Sequence, residues 1–470
     1  MSKATTETAG AIPAASGASG AAAGPLARRL VRRELARAAL DLARLPGRTG
    51  SYLLERDAAR AELARALASH ADPTPAPTFE PPRGRALSLF VSCAEASGEI
   101  HAANAVRALR ELLGARGAPA PRLAGLGGAR LESAGVELVA DVVHDARMGF
   151  GAVLSALPRY LRVLEHAATR LERERPDVLL AVDSPALHVP LGRIARALGV
   201  PVVHFVAPQY WGWAPWRAAH YAQAVDLALT ILPFEPAWFA ARGVHVAHVG
   251  HPLLDELAGV ERGDPERGTE LVLLPGSRPG VVRRNLPWML RAVAPLARSG
   301  AIPRVVVPAA RPETTALVRA EVARAGAADF ARVAPGELHE SLRRARAAFS
   351  VSGTVLLDLL HHELPTVVVY RLGSRFAAEG QGHLLTAPWF ASVNLLANRE
   401  VLPEFSFAGE GPIERVRAAL QAQWSDARVR ARCRSGLVEA RARLGPAGAV
   451  GRAASHALAT ACARARGGRA

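Results

Sequence analysis

The chain has 470 residues, of which half are apolar, and its formal net charge is +16. That length exceeds what one compact core usually holds, so we expect two domains plus an appendage. Three scattered cysteines exclude a disulfide framework and fit a reducing cytosol. The sequence has no long apolar run and no secretory signal, so we expect no membrane span and no export.

The first 85 residues are predicted to precede the folded body. Residues 1–24 are mostly small or polar, so we expect disorder there. Residues 25–48 place leucines at helical spacing among seven arginines and two acids, which predicts a basic amphipathic helix ended by Pro46-Gly47. A second helix over 51–69 and a Pro-rich linker over 71–85 follow. The first helix either lies on an anionic membrane surface or packs on the body as an extra element.

From residue 86 onward, apolar strand candidates alternate with helical segments, which predicts an α/β fold with parallel sheets. We expect two doubly wound, Rossmann-like domains facing across a cleft, after a disordered and helical N-terminal extension. The predicted divisions are 1–85 for the extension, 86–260 and 261–440 for the two domains, and 441–470 for a C-terminal helix and basic tail. The strand candidates are Leu87–Ser92, Val178–Asp183, Val202–Val206, Leu227–Leu232, Leu271–Leu274, Val305–Val307, Ala347–Val351 and Thr366–Tyr370.

Two turns in the first domain carry candidate site residues. Glu95, Ser97 and Gly98 follow the first strand, where they either hold a polar substrate group or form an ordinary strand-to-helix turn. Asp183 ends an apolar strand, where a partly shielded carboxylate can take a proton from a sugar hydroxyl. The alternative is that Asp183 only caps the next helix.

Aromatic residues are concentrated at 210–216 in a chain that otherwise has few of them. Tyr210, Trp211 and Trp213 are candidates for an apolar wall that contacts an acyl chain or a sugar face, and packing between domains is the alternative. Arg217 follows directly and is suited to a phosphate or a lipid headgroup.

Two phosphate-sized turns follow strands in the second domain. In LVLLPGSRPG, Gly276 and Ser277 allow close backbone approach, and the planar cation of Arg278 suits phosphate. Ser352, Gly353 and Thr354 open a helical segment whose unpaired N–H groups can face an anion. A nucleoside diphosphate is therefore the expected ligand. The histidines show no metal-ligand spacing, so we expect no metal and no cofactor.

The body resembles the lipid-A-disaccharide synthase family, whose members have the GT-B architecture of glycosyltransferases. The resemblance lies in nine ordered blocks: AEASGE at 94–99, MGF at 148–150, PDVLLAVDSP at 176–185, APQYWGW at 207–213, LPFE at 232–235, VGHPLLD at 249–255, LLPGSR at 273–278, SGTVLLD at 352–358 and SVNLLANREVLPEF at 392–405.

The resemblance implies an inverting transfer from UDP-2,3-diacylglucosamine to 2,3-diacylglucosamine 1-phosphate, which gives the β-1,6-linked disaccharide 1-phosphate and UDP without a metal. It implies that Asp183 is the base for the acceptor 6-hydroxyl and that Arg278 lies by the donor phosphates. Asn394 and Glu400 would lie near the donor, and Asp358 stands where the family usually has a glutamate that grips the ribose. The family's DAPDFN is DSPALH here, so Ala186 and His188 replace an aspartate and an asparagine.

Diacylated substrates and the basic helix predict a cytoplasmic protein that associates peripherally with the inner leaflet of the inner membrane. The oligomeric state stays open, with a homodimer as one candidate. Two alternatives remain for the function. One is another UDP-N-acetylglucosamine enzyme of this architecture, a 2-epimerase or a cell-wall N-acetylglucosaminyl transferase. The other is a basic nucleic-acid-binding protein, which we do not favour because the chain lacks recognisable nucleic-acid-binding motifs.

Overall fold

A computed structural model describes residues 24–143, 153–309, 312–373 and 384–467 of the chain. Two predictions fall outside these ranges. One is the disorder expected for residues 1–24, of which 1–23 are not described, and the other is the MGF block at 148–150. Over the described residues the chain forms two parallel sheets, one in each half of the body. None of the helices in these ranges combines the length and the apolar character needed to cross a bilayer.

The first half of the body contains a seven-stranded sheet among the described residues. Its strands are β1 (Ser88–Cys93), β2 (Arg122–Gly127), β3 (Glu137–Asp141), β4 (Val178–Val182), β5 (Val202–Phe205), β6 (Leu227–Thr230) and β7 (Val246–His248). Their order across the sheet is β3-β2-β1-β4-β5-β6-β7. Strand β4 is an uninterrupted buried apolar run, as expected for a parallel strand that is covered on both faces.

The second half contains a six-stranded sheet in the same described ranges. Its strands are β8 (Glu270–Leu274), β9 (Val305–Ala309), β10 (Ala331–Pro335), β11 (Ala345–Val351), β12 (Thr366–Leu372) and β13 (Glu404–Ala408). Their order is β10-β9-β8-β11-β12-β13. All eight predicted strands are therefore present, with ends that differ by at most two residues, and five further strands complete the sheets.

Helices connect the strands and cover both sheets. In chain order through the described residues they are α1 (Pro25–Ala43), α2 (Leu45–Ala68), α3 (Ala96–Gly114), α4 (Ala129–Ser133), α5 (Val153–Glu174), α6 (Pro185–Ala197), α7 (Tyr210–Trp213), α8 (Ala218–Ala222), α9 (Glu235–Ala240), α10 (Leu253–Leu257), α11 (Pro279–Arg298), α12 (Pro312–Arg324), α13 (Leu338–Arg344), α14 (Val355–His361), α15 (Ser392–Ala397), α16 (Ile413–Ser425), α17 (Ala427–Leu444) and α18 (Ala449–Arg466).

The extension is docked on the first half of the body. Helix α1 packs against α5 and α6 and buries Ala27, Leu30 and Val31. Helix α2 starts at Leu45, six residues earlier than predicted. Pro46 does not stop the helices here because it lies in the first turn of α2, where a proline costs no helical hydrogen bond. The Pro-rich linker then runs beside β7, with the Thr74 amide donating to the His248 carbonyl.

The last helix returns to the first half of the body. Helix α18 packs on α3 and near β4 and β5, although α17 before it packs in the second half. Asp255, in the connection between the halves, accepts hydrogen bonds from the amides of Ala449 and Val450 at 3.2 and 2.8 Å and from the amide of Gly448. The start of α18 is therefore fixed to the segment that joins the two sheets.

Candidate active site

The predicted site turns lie where the strand order of each sheet reverses. In the first sheet β1 and β4 are neighbours whose connections run in opposite directions, and β8 and β11 have the same relation in the second. In doubly wound folds such switch points leave a crevice at the carboxyl ends of the strands. The turns with Glu95 and Gly98 follow β1, Asp183 follows β4, Arg278 follows β8, and Ser352 follows β11. Both halves therefore place their candidate residues at the position where such folds bind ligands.

Asp183 lies next to the turn that follows β1. Strands β1 and β4 pair in register with Cys93 opposite Val182, so the two turns leave the sheet side by side. A Cβ atom placed on Gly98 would lie 3.4 Å from the Asp183 Cβ. Asp183 is partly buried, and its backbone is left-handed, with φ of +57°. Its amide donates to the Phe205 carbonyl at 2.9 Å, so the turn is fixed to a neighbouring strand.

Arg278 joins the two halves of the body. Its guanidinium lies 3.4 Å from a Glu95 carboxylate oxygen, so a residue after β8 contacts a residue after β1. The Arg278 side chain is 76% exposed and that of Glu95 43% exposed. An ion pair this exposed contributes little to stability, so the geometry leaves the arginine available to a competing anion.

The first phosphate-sized turn has the backbone that its glycine predicts. Gly276 has φ of +107°, and a Cβ atom there would lie 2.6 Å from the Val281 side chain, so a larger residue would be both strained and crowded. Ser277 and Arg278 are exposed directly before helix α11. The turn thus presents a hydroxyl, a cation and a helix start at the same point.

The second turn, Ser352–Thr354, is held by a loop further along the chain. The Ser352 hydroxyl donates to the Phe390 carbonyl at 2.8 Å, while Gly353 and Thr354 are exposed. The loop is fixed in turn by Glu404, whose carboxylate accepts the amides of Phe390 and Ala391. Glu404 is not among the predicted site residues, although it lies within the EVLPEF part of a matched block.

Asp358 is buried on α14, which begins directly after this turn. Burial raises the pKa of its carboxyl group to about 7, and the nearby Glu256 adds to the rise. The His339 ring nitrogen lies 3.9 Å from the carboxylate. Asp358 is therefore a buried acid next to the switch point of the second sheet.

The two other predicted donor residues differ in their surroundings. Asn394 is fully buried, and its amide is occupied: Oδ1 accepts the amides of Val401 and Leu402, and Nδ2 donates to Leu402 and Glu404. In this structure its side-chain amide orders the turn before β13, and its place near the donor stays a prediction. Glu400 is exposed on that same turn.

The aromatic segment divides into core and surface. Tyr210 and Trp211 are 5% and 3% exposed, and the Trp211 indole donates to the buried Glu235 at 3.1 Å. The short helix α7 turns both rings into the core, and their predicted contact with an acceptor stays untested. Trp213 is 46% exposed, and Arg217 lies over its ring at 4.7 Å. Trp213 and Arg217 are therefore accessible to a substrate or a lipid, as are Ser97 and Glu95 after β1.

Glu235 explains why the aromatic segment is buried. Its fully buried carboxyl group accepts the amides of Ile231 and Leu232 as well as the Trp211 indole, and burial raises its pKa to about 7. The glutamate of the LPFE block was the available signal, but the sequence does not show which groups meet it.

The extension also reaches the aromatic segment. Tyr52 on α2 packs against Trp216, with ring centroids 5.2 Å apart, and a 2.8 Å hydrogen bond joins the hydroxyls of Tyr52 and Thr386. The Thr386 amide donates to the Gly212 carbonyl. Helix α2 therefore contacts both the aromatic segment and a loop from the second half of the body.

Comparison with known proteins gives concordant results. A family model described as lipid-A-disaccharide synthetase matches residues 89–432. The lipid-A-disaccharide synthase of Myxococcus xanthus (strain DK1622) is 35% identical over 389 residues, which is 80% of this chain and 97% of that protein. The lipid-A-disaccharide synthase of Syntrophus aciditrophicus (strain SB) is 32% identical over 378 residues, which is 79% of this chain and 97% of the relative.

Among solved structures, the S. aureus MnaA–UDP co-structure is similar in fold. The TM-score is 0.52 at 13% sequence identity, and the match covers 77% of this chain and 94% of that chain. At this identity the likeness concerns the fold alone. The prediction of two doubly wound domains in a GT-B-like arrangement is confirmed by these sheets and by this likeness.

Proposed function

Since this chain belongs to the lipid-A-disaccharide synthase family, we propose that it builds its active site from Asp183 on one side of the cleft and Arg278 on the other. The reaction is the inverting condensation of UDP-2,3-diacylglucosamine with 2,3-diacylglucosamine 1-phosphate. Its products are the β-1,6-linked disaccharide 1-phosphate of lipid A biosynthesis and UDP.

Asp183 acts as the general base. Its carboxylate takes the proton of the acceptor 6-hydroxyl as that oxygen attacks the anomeric carbon of the donor, and the bond to UDP breaks on the opposite side. A single in-line displacement inverts the anomeric centre. The observation that carries this assignment is the position of Asp183 at the switch point of the first sheet, beside the turn that contacts Arg278.

Arg278 and the two turns of the second half bind the diphosphate. The exposed guanidinium exchanges Glu95 for a phosphate, and exposed backbone at Gly353 and Thr354 faces the same anion. Asp358 contacts the ribose, and Glu400 lies at the rim of the donor site. We accordingly assign residues 86–260 to the acceptor lobe and 261–440 to the donor lobe, with 441–470 as the returning C-terminal segment.

The test is product formation by the purified full-length protein. We expect incubation with both substrates to give a phosphorylated tetra-acyl disaccharide by mass spectrometry, together with stoichiometric UDP. Reactions that lack the donor or the acceptor serve as controls. If UDP is released without the disaccharide, or no product forms, the proposed activity is wrong.

We also propose that the protein binds peripherally to the inner leaflet of the inner membrane through its extension. The first part of α1 and the last part of α2 pack on the body, but the leucines between them are exposed, with Leu42 at 70% and Leu54 at 89%. The same extension carries the exposed Arg29, Arg32 and Arg33 on α1, so apolar burial and attraction to anionic lipid would act together. A homodimer stays a prediction that light scattering can test.

Vesicle co-sedimentation tests the membrane proposal. We expect replacement of Leu42 and Leu54 by glutamine to lower binding to anionic vesicles roughly tenfold or more, because each leucine contributes on the order of 1.5 kcal/mol when it is buried. Val438→Gln is the matched control, since Val438 is 45% exposed on α17, which is not part of the extension. Equal binding of the double variant and the control would contradict this role.

A further inference from the structure

The peptide of Asp183 is held in an unfavourable conformation. Asp183 and Ser184 have φ of +57° and +48°, a region that non-glycine residues rarely adopt. Each such residue costs on the order of 1–3 kcal/mol, so surrounding contacts must stabilise the turn. The conformation directs the Asp183 side chain towards Gly98, where the lack of a side chain leaves space for it.

Two buried histidines contact the carbonyl of this peptide. The His188 Nδ1 lies 2.5 Å and the His204 Nε2 lies 2.8 Å from the Asp183 carbonyl oxygen. A carbonyl can only accept, so each ring donates an N–H to it. The contact with the carbonyl places the proton of His188 on Nδ1, so its Nε2 accepts the hydrogen bond of the Ser92 hydroxyl, 2.8 Å away.

The two rings are placed where they cannot touch a substrate. Both side chains are 1% exposed, and they pack edge-on with centroids 5.6 Å apart, with Tyr221 against His204. Burial lowers the pKa of His188 to about 3 and the pKa of His204 below its ordinary value, so both rings are neutral at working pH. They are therefore fixed, uncharged hydrogen-bond donors behind the active-site turn.

We infer that His188 and His204 are positioning residues that hold the strained Asp183 peptide and so aim the carboxylate at the acceptor hydroxyl. The inference rests on the proposed role of Asp183 as the base. It assigns a function to His188, the residue that stands where the resembling family has asparagine. A side-chain amide can also donate to a carbonyl, which makes asparagine a natural test of the contact.

The experiment compares His188→Phe with His188→Asn in the full-length protein. Phenylalanine fills the space without a donor, so we expect kcat to fall roughly 10- to 100-fold while KM values and UDP affinity stay within about twofold. Asparagine should restore most of kcat. His248→Phe is the control, because His248 is also buried in the first half but contacts Thr230 and not Asp183; it should leave kcat unchanged.

A second variant covers the case in which His188→Phe does not fold. Ser92→Ala removes the hydroxyl that donates to His188 Nε2 and holds the ring in place, and we expect a several-fold loss of kcat at unchanged KM. The inference is overturned if folded His188→Phe keeps the parent kcat, if asparagine is no better than phenylalanine, or if Ser92→Ala is silent. Asp183→Asn in the same assay separates the proposed base from the proposed positioning role. Normal turnover of Asp183→Asn overturns the proposed base. An inactive Asp183→Asn beside a fully active His188→Phe overturns the positioning role alone.

Discussion

Asp358 carries a carboxyl group that is buried beside the proposed donor turn. Its pKa is raised to about 7, whereas an unfolded aspartate titrates near about 3.9. Between these values the folded chain keeps a proton that the unfolded chain has released. The free energy of unfolding therefore falls as the pH rises from about 4 to about 7, by up to about 1.4 kcal/mol per pH unit, and this contribution is constant above that range.

We predict that Asp358→Asn removes this part of the pH dependence. The stability of the variant relative to the parent should rise by on the order of 2 kcal/mol between pH 5 and pH 8 in urea denaturation, because asparagine has no charge to bury. Asp57→Asn is the control, since Asp57 is 90% exposed on α2. If the difference in the free energy of unfolding between variant and parent does not change with pH, Asp358 does not ionise in this interval.

For single residues, the sequence predicts the chemical role of a side chain better than it predicts which groups surround that side chain in the fold. Asp183 and Arg278 could be selected because each follows an apolar strand, and strand ends determine position in this fold. The burial of Trp211 and the saturation of Asn394 could not be predicted, because their partners Glu235 and Glu404 meet them only in the folded chain. The left-handed backbone at Asp183 could not be predicted either, because no glycine stands at that position.

At the scale of elements, helix α1 is fixed to the body by a buried charge pair. Glu34 is 6% exposed and lies 2.6 Å from both Arg193 on α6 and Arg37 on α1. Removal of one member of a buried pair leaves the other charge without compensation, at a cost of roughly 3 kcal/mol. The docking of the extension therefore depends on Glu34 as much as on the apolar contacts of Leu30.

We predict that Glu34→Ala releases α1 and makes it a better protease substrate. Trypsin should cleave the arginine-rich helix at least several-fold faster than in the parent protein, because cleavage follows local opening. Glu55→Ala, which changes an exposed glutamate on α2, should leave the rate unchanged. Equal cleavage of the two variants would show that this pair does not hold the extension in place.

The extension shows what periodicity can and cannot predict. The leucine spacing predicts the first helix. Each of the two interpretations offered for that helix describes part of it, because Leu30 packs on the body while Leu42 is exposed. Which leucines face the body depends on the surface of α5 and α6, and that surface is formed by residues more than a hundred positions away. Pattern alone could not assign them.

For the whole molecule, the two sheets and their order follow from alternating strands and helices. The alternation does not predict that Arg278 contacts Glu95, or that α18 returns to the first half. Both depend on how the halves pack, which involves contacts distant in sequence. The eight strands that could be predicted are predominantly apolar, whereas short or mixed strands such as β7 and β10 lack that signal.

The central claim is that chemistry and donor binding are divided between the two halves of the body. The most direct test measures turnover and UDP affinity for Asp183→Asn beside Arg278→Ala. We predict that Asp183→Asn loses roughly 10²- to 10⁴-fold in turnover while its Kd for UDP stays within about twofold, and that Arg278→Ala weakens both. Normal turnover of Asp183→Asn, or a loss of UDP affinity equal to that of Arg278→Ala, would contradict this division.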